Sequence, residues 1–125
     1  MNGMGFILKL IRLVGVPVLF FGFCLVSFSW SLLRPFHPEN MWLAARLFHW
    51  LSAPFLGYRS VVENKELLPS EPAVYVSNHQ NNLDLSIFGQ VFPHRTVTLG
   101  KKDIIWIPIF GQAYWLYGNI LIDRY

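Results

Sequence analysis

At 125 residues the chain has room for one small domain. It is 54% hydrophobic and only 14% charged, against about 25% charged in ordinary soluble domains, so an average water-soluble globule is a poor description. A net charge of +3 without a Lys/Arg cluster interleaved with aromatics argues against nucleic acid and for an anionic membrane surface or a phosphate-bearing ligand. The single cysteine, Cys24, excludes an internal disulfide and a cysteine-based metal site.

After Lys9 and Arg12, residues 13–33 carry no charge, a run of about twenty that suffices to cross a hydrocarbon core of roughly 30 Å. A secretory signal is the rival reading, but the run is too long for one and no small-x-small cleavage site follows it. Gly15, Pro17 and Gly22 are tolerated in membrane helices. Lys9 and Arg12 lie on one side and Arg34 and Arg46 on the other, so the positive-inside rule gives no clean orientation. A spanning helix and a helical hairpin inserted in one leaflet both stay open. Pro35 and Pro38 then break the helix. Residues 40–56 are aromatic-rich, with Trp42, Phe48, Trp50 and Phe55 beside Arg46 and His49. That composition suits a helix in the headgroup region, the other reading being an ordinary buried helix.

From Gly57 the pattern changes. Strands are expected at Tyr58–Val62, Ala73–Ser77, Arg95–Leu99 and Asn119–Ile122, with a polar connection between the first two. A helix is expected over Asp84–Phe92, and short helical pieces over Lys101–Gln112, broken at Pro108 and Gly111. This alternation indicates an α/β class. The expected organisation is membrane-anchoring helices over 1–56 and the N-terminal part of an α/β domain over 57–125. Residues 57–125 alone are near the lower limit for a self-sufficient core, and a last strand at 119–122 leaves an incomplete sheet with an open edge. The chain therefore reads as the front half of a longer protein.

The chemistry concentrates at Asn78-His79-Gln80-Asn81-Asn82-Leu83-Asp84. Residues five apart lie about 140° apart round a continuous helix, so His79 and Asp84 meet only if a loop separates them. Asn78, Asn81 and Asn82 suit such a loop, and Asp84 sits where a helix begins. A carboxylate on one imidazole nitrogen fixes the tautomer and leaves the other nitrogen as a base. The plainer reading is that His79 caps a loop and Asp84 caps a helix.

Three ordered blocks bear on that choice. Residues 78–84 resemble the Asn-His-x4-Asp signature of the glycerolipid acyltransferases. Gly118-Asn119-Ile120-Leu121-Ile122-Asp123-Arg124 resembles their second block, a glycine, an apolar strand and Asp-Arg. Between them, Thr96–Lys102 and Trp106–Gln112 resemble the bacterial 1-acyl-sn-glycerol-3-phosphate (lysophosphatidic acid) acyltransferases of that family. The likeness runs from about Ala73 to Arg124 and is weaker in the apolar N-terminus. The family's next block, an apolar residue, Pro and Glu-Gly-Thr-Arg, does not occur in the sequence.

The resemblance implies the first half of a glycerolipid-acyltransferase α/β domain, held to the membrane by paired helices. It implies transfer of a fatty acyl group from acyl-CoA or acyl carrier protein to the free hydroxyl of lysophosphatidic acid, giving phosphatidic acid without a cofactor or metal. His79 would be the general base and Asp84 its orienting carboxylate, with Asn78 steadying the loop or the oxyanion. Lys101, Gly118, Asp123 and Arg124 would serve the acceptor phosphate. The implied location is the bacterial inner membrane, with the site on the cytoplasmic side and membrane lipids as partners. A truncated inactive membrane fragment, or another lysophospholipid or glycerol 3-phosphate as acceptor, are the alternatives.

The remaining candidates are weaker. His37, His49 and His94 are scattered and read as structural or exposed. Ser77 and Ser86 lie near His79, yet no Gly-x-Ser-x-Gly elbow surrounds either, which favours direct attack over an acyl-serine. No further ligands accompany His79 and Asp84 to make a metal site.

Overall fold

A computed structural model of the chain describes residues 3–123. It contains helices α1 (Gly3–Leu33), α2 (Asn40–Leu56), α3 (Leu83–Phe88) and α4 (Phe110–Leu116), and strands β1 (Leu99–Lys101) and β2 (Ile120–Ile122). Short 3-10 turns occupy Lys65–Leu67 and Lys102–Trp106.

α1 is long and apolar enough to cross a membrane, and Pro17 removes one ladder bond without ending it. Only 17% of its most apolar window is buried, whereas the core helix of a soluble protein would be mostly covered. The covered face carries Phe23, Ser27 and Ser31 at four-residue spacing, and Val18, Phe21, Leu25, Val26 and Leu32 remain exposed.

At the turn after α1, Asn40 Nδ2 donates to the Arg34 carbonyl at 2.7 Å and Arg34 Nη2 donates to His37 Nδ1 at 2.9 Å. These bonds give His37 the structural role expected of it. α2 then runs back along α1, with Phe48 against Phe20 and Phe23 at 6.1 and 5.1 Å between ring centroids, and Phe55 over Gly15. The observed bounds of α2 match the expected segment. Its end is set by Gly57, whose φ of +70° suits a residue without Cβ while its N–H donates to the Ala53 carbonyl.

α4 closes the core. Ala113 and Tyr117 pack against Phe23, Cys24 and Ala44, and the Tyr117 hydroxyl donates to Ser27 Oγ at 2.6 Å. β1 and β2 pair in parallel, with Gly100 opposite Leu121, through a crossover that contains α4. Asn119 pins this unit: Oδ1 accepts the Thr98 N–H at 2.9 Å, and Nδ2 donates to the Tyr114 carbonyl at 3.1 Å.

The described residues are thus mainly helical, with one two-stranded parallel sheet. The strands expected at Tyr58–Val62 and Ala73–Ser77 are not formed, and Val61, Val74 and Val76 are 82%, 90% and 92% exposed. A strand is defined by its ladder, and among the described residues neither segment has a neighbour to pair with. The strand expected at Arg95–Leu99 lies later, at Leu99–Lys101, where β2 supplies the partner. The helix expected to Phe92 ends at Phe88 and continues as turns to Val91. Gly111 does not break the following helix. It lies inside α4 because only a residue without Cβ fits under the carbonyl oxygens of Ile104 and Ile105.

Asn119→Ala leaves the part-buried Thr98 N–H and the buried Tyr114 carbonyl without these partners, and should destabilise the fold by about 1–3 kcal/mol. A lowered denaturation midpoint in detergent micelles checks this, and an unchanged midpoint contradicts the pinning role.

Candidate active site

The loop after Ser77 folds round one carboxylate. Asp84, in the first turn of α3, places Oδ2 where it accepts the Gln80 N–H at 2.6 Å, the Asn81 N–H at 3.0 Å and His79 Nδ1–H at 3.1 Å. Asn81 shapes the same loop by accepting the Leu83 N–H on its side-chain oxygen at 2.8 Å, the local bonding that makes Asn a turn residue. The Asn81 and Gln80 N–H groups hold the Asp84 carboxyl below the usual carboxylate range, and the His79 imidazole adds to them.

A carboxylate only accepts, so the contact places a proton on Nδ1, and in the neutral imidazole this tautomer leaves Nε2 as the acceptor. The His79 side chain is 59% exposed and that of Asp84 19%, which leaves the second nitrogen open to a reactant. The contact expected between His79 and Asp84 is therefore formed, with the loop supplying the bend that a continuous helix would forbid.

α3 is seated on α2. Gly89 follows it, and a Cβ there would overlap the Ala45 carbonyl oxygen. Ser86, two residues beyond Asp84 and 1% exposed, faces α2. Its hydroxyl bonds Ser52 Oγ and the Tyr58 hydroxyl, and its carbonyl accepts His49 Nδ1–H at 2.9 Å. This partly buried set was not singled out by sequence reasoning, which read His49 as structural or exposed and Ser86 only as a poor nucleophile. The available signal was the spacing of His49 and Ser52, which puts both on one face of α2.

The other expected site residues are placed unevenly. Asn78 is exposed and makes no side-chain hydrogen bond among the described residues. Gly118 has φ of +84° and turns the chain from α4 into β2, which explains its residue type without a ligand. Lys101 pairs with Asp103 at 2.7 Å, while Lys102 reaches Asp123 at 3.4 Å across the carboxyl ends of the parallel pair. Arg124 lies outside the described residues. Among the described residues, no hydrogen bond or ion pair joins the His79–Asp84 loop to this charged group.

A family model described as Acyltransferase matches residues 59–125, more than half of the chain. The chain is 37% identical over 120 residues to a Haemophilus influenzae 1-acyl-sn-glycerol-3-phosphate acyltransferase, covering 94% of this chain and 49% of that protein. It is 39% identical over 104 residues to the Escherichia coli K12 protein of the same name, covering 81% and 41%. The human 1-acyl-sn-glycerol-3-phosphate acyltransferase alpha is 48% identical over 56 residues, covering 45% and 20%. The chain spans about half the length of the bacterial relatives it matches. No solved structure matches it significantly. With the family match spanning the loop that joins His79 to Asp84, this chain belongs to the Acyltransferase family.

Proposed function

We propose that the protein transfers a fatty acyl group to the free hydroxyl of 1-acyl-glycerol 3-phosphate, giving phosphatidic acid. The observation that carries the reading is the His79–Asp84 contact at 3.1 Å with the imidazole otherwise exposed. The names of the matched relatives supply the substrate class. An alcohol is a poor nucleophile at a thioester until its proton is taken in the transition state, and a positioned base contributes about 10²–10⁴-fold there. His79 Nε2 takes that proton while the hydroxyl oxygen attacks the thioester carbonyl of acyl-CoA or acyl-carrier protein. The C–S bond then breaks, and the imidazolium returns the proton to the leaving thiolate. Asp84 stabilises the imidazolium as it forms, and Asn78 is assigned to the loop or the oxyanion.

The acceptor phosphate is assigned to the carboxyl ends of β1 and β2, where ligands of parallel sheets gather. Lys101 and Arg124 are its proposed cations. Asp123 repels a phosphate, so its proposed part is to hold Lys102 in place, with Gly118 setting the turn that leads there. We assign residues 1–56 to a membrane anchor and 57–125 to the N-terminal part of an α/β domain.

The anchor is assigned to a bacterial inner membrane with the site on the cytoplasmic side. α4 packs beside Phe20 and Phe23, in the middle of the uncharged part of α1. A bilayer crossed by that whole segment would surround α4 and the adjoining polar loops with hydrocarbon, at a cost of several kcal/mol for each unsatisfied backbone group. Insertion of the hairpin into one leaflet, with the bare face of α1 toward lipid, avoids this.

His79→Ala in the full-length protein should lower transfer about 10²–10⁴-fold while the protein stays with the membrane fraction. Retained turnover would remove the base assignment. The sign of the Asp84 shift gives a second expectation. A lowered folded value means that the carboxylate favours the folded loop above the ordinary carboxylate range, and that this contribution is lost as pH falls through the lowered value. The His79–Asp84 contact should thus persist at pH 5–7 and open only in stronger acid, as read by the carboxyl carbon resonance of Asp84. A midpoint above the ordinary range, about 3.9, would contradict the loop geometry.

A further inference from the structure

The hydroxyl network under α3 has only one consistent proton order. Ser52 Oγ donates to the Phe48 carbonyl at 2.5 Å and so receives its other bond from Ser86 Oγ–H. Ser86 Oγ in turn receives the Tyr58 O–H. His49 Nδ1 lies 2.9 Å from the Ser86 carbonyl, which only accepts, so Nδ1 carries the proton and the Tyr58 oxygen at 3.3 Å can be only its second acceptor. The chain of donors runs from Tyr58 through Ser86 and Ser52 to the backbone of α2, and a second donor from α2 clamps the backbone of α3.

α3 spans only Leu83–Phe88, far below the length at which an isolated helix persists in water, so its orientation is set by what it touches. Ser86 and Asp84 are two residues apart and project about 200° from each other round α3. Because the two lie on opposite sides of one short helix, the bonds that hold Ser86 against Ser52 and Tyr58 also fix the direction in which the Asp84 carboxylate points. On the acyl-transfer reading above, on which this inference rests, we propose that Ser86, with Tyr58 and His49, are positioning residues that hold the Asp84 carboxylate against the His79 base and tie it to the membrane hairpin through α2.

The test uses the full-length protein in lipid nanodiscs, with Ser86→Ala, Tyr58→Phe and His49→Leu each made alone and on an Asp84→Asn background. The single variants should lower kcat about 10- to 100-fold with KM little changed, the scale expected for a misplaced catalytic group. On the Asp84→Asn background the same changes should cost little more, because the group they position is already gone. His49→Asn, which keeps a donor toward the Ser86 carbonyl, should recover most of the loss seen in His49→Leu. Equal losses on both backgrounds would mean a general folding role and would overturn the proposal.

A second measurement needs no turnover, and so separates this inference from the acyl-transfer reading. In Tyr58→Phe, which removes one hydroxyl from a half-buried ring, the His79 ring nitrogen resonances should move toward those of Asp84→Asn. If they match the parent protein instead, the positioning role fails whatever the enzyme's substrate. If they move and the parent protein transfers no acyl group, only the acyl-transfer reading fails.

Discussion

A single oxygen, Oδ2 of Asp84, accepts from two backbone N–H groups and one imidazole, and the loop between Ser77 and α3 is folded round that convergence. Each donor does a different job. The Gln80 and Asn81 amides keep the carboxylate ionised and fix the loop's curvature, whereas the imidazole is itself the group being positioned. Charge-assisted bonds of this kind are roughly twice as strong as neutral ones, which lets a short exposed loop hold a defined shape without a hydrophobic core of its own. An Asn at residue 84 would keep the size but not the charge, and would weaken all three contacts together.

The constraint extends inward through α3. Its outer side carries Asp84 and its inner side Ser86, so the charged contact at the surface and the hydroxyl chain beneath it are two ends of one short lever. Gly89 makes the close approach possible by leaving room for the Ala45 carbonyl. Polar groups buried between helices are costly unless each has a partner, and here every hydroxyl in the set has one.

The sequence made the helices and the His79–Asp84 contact legible because both rest on local signals. Prolines at 35 and 38 and the glycine at 57 bound α2, and asparagines with a helix-opening aspartate bend the loop. The β elements were legible only in part. Val74 and Val76 have the residue type of a strand, but pairing is a long-range property, and no neighbour stands beside them among the described residues. β1 is displaced from its expected position because register follows the partner, in this case Leu99 opposite Ile120, and propensity does not encode that partner. The hydroxyl set was illegible for a similar reason: Ser52, Tyr58 and Ser86 are ordinary polar residues in sequence, and only the packing of α3 against α2 and the segment after it joins them.

α2 is the element that makes these observations one argument. It packs along α1, whose bare apolar face is the surface proposed to meet lipid, and it seats α3, which carries Asp84. On the proposed reading, a base that serves a lipid alcohol must sit near the height of the headgroups, where that hydroxyl lies. With the loop tied to α3, α3 tied to α2, and α2 tied to α1, the proposed insertion of the helix pair would set the height of His79. The uncharged length of residues 13–33 and the position of Asp84 thereby become parts of one geometry, since a shift of α1 in the membrane would carry the proposed base with it.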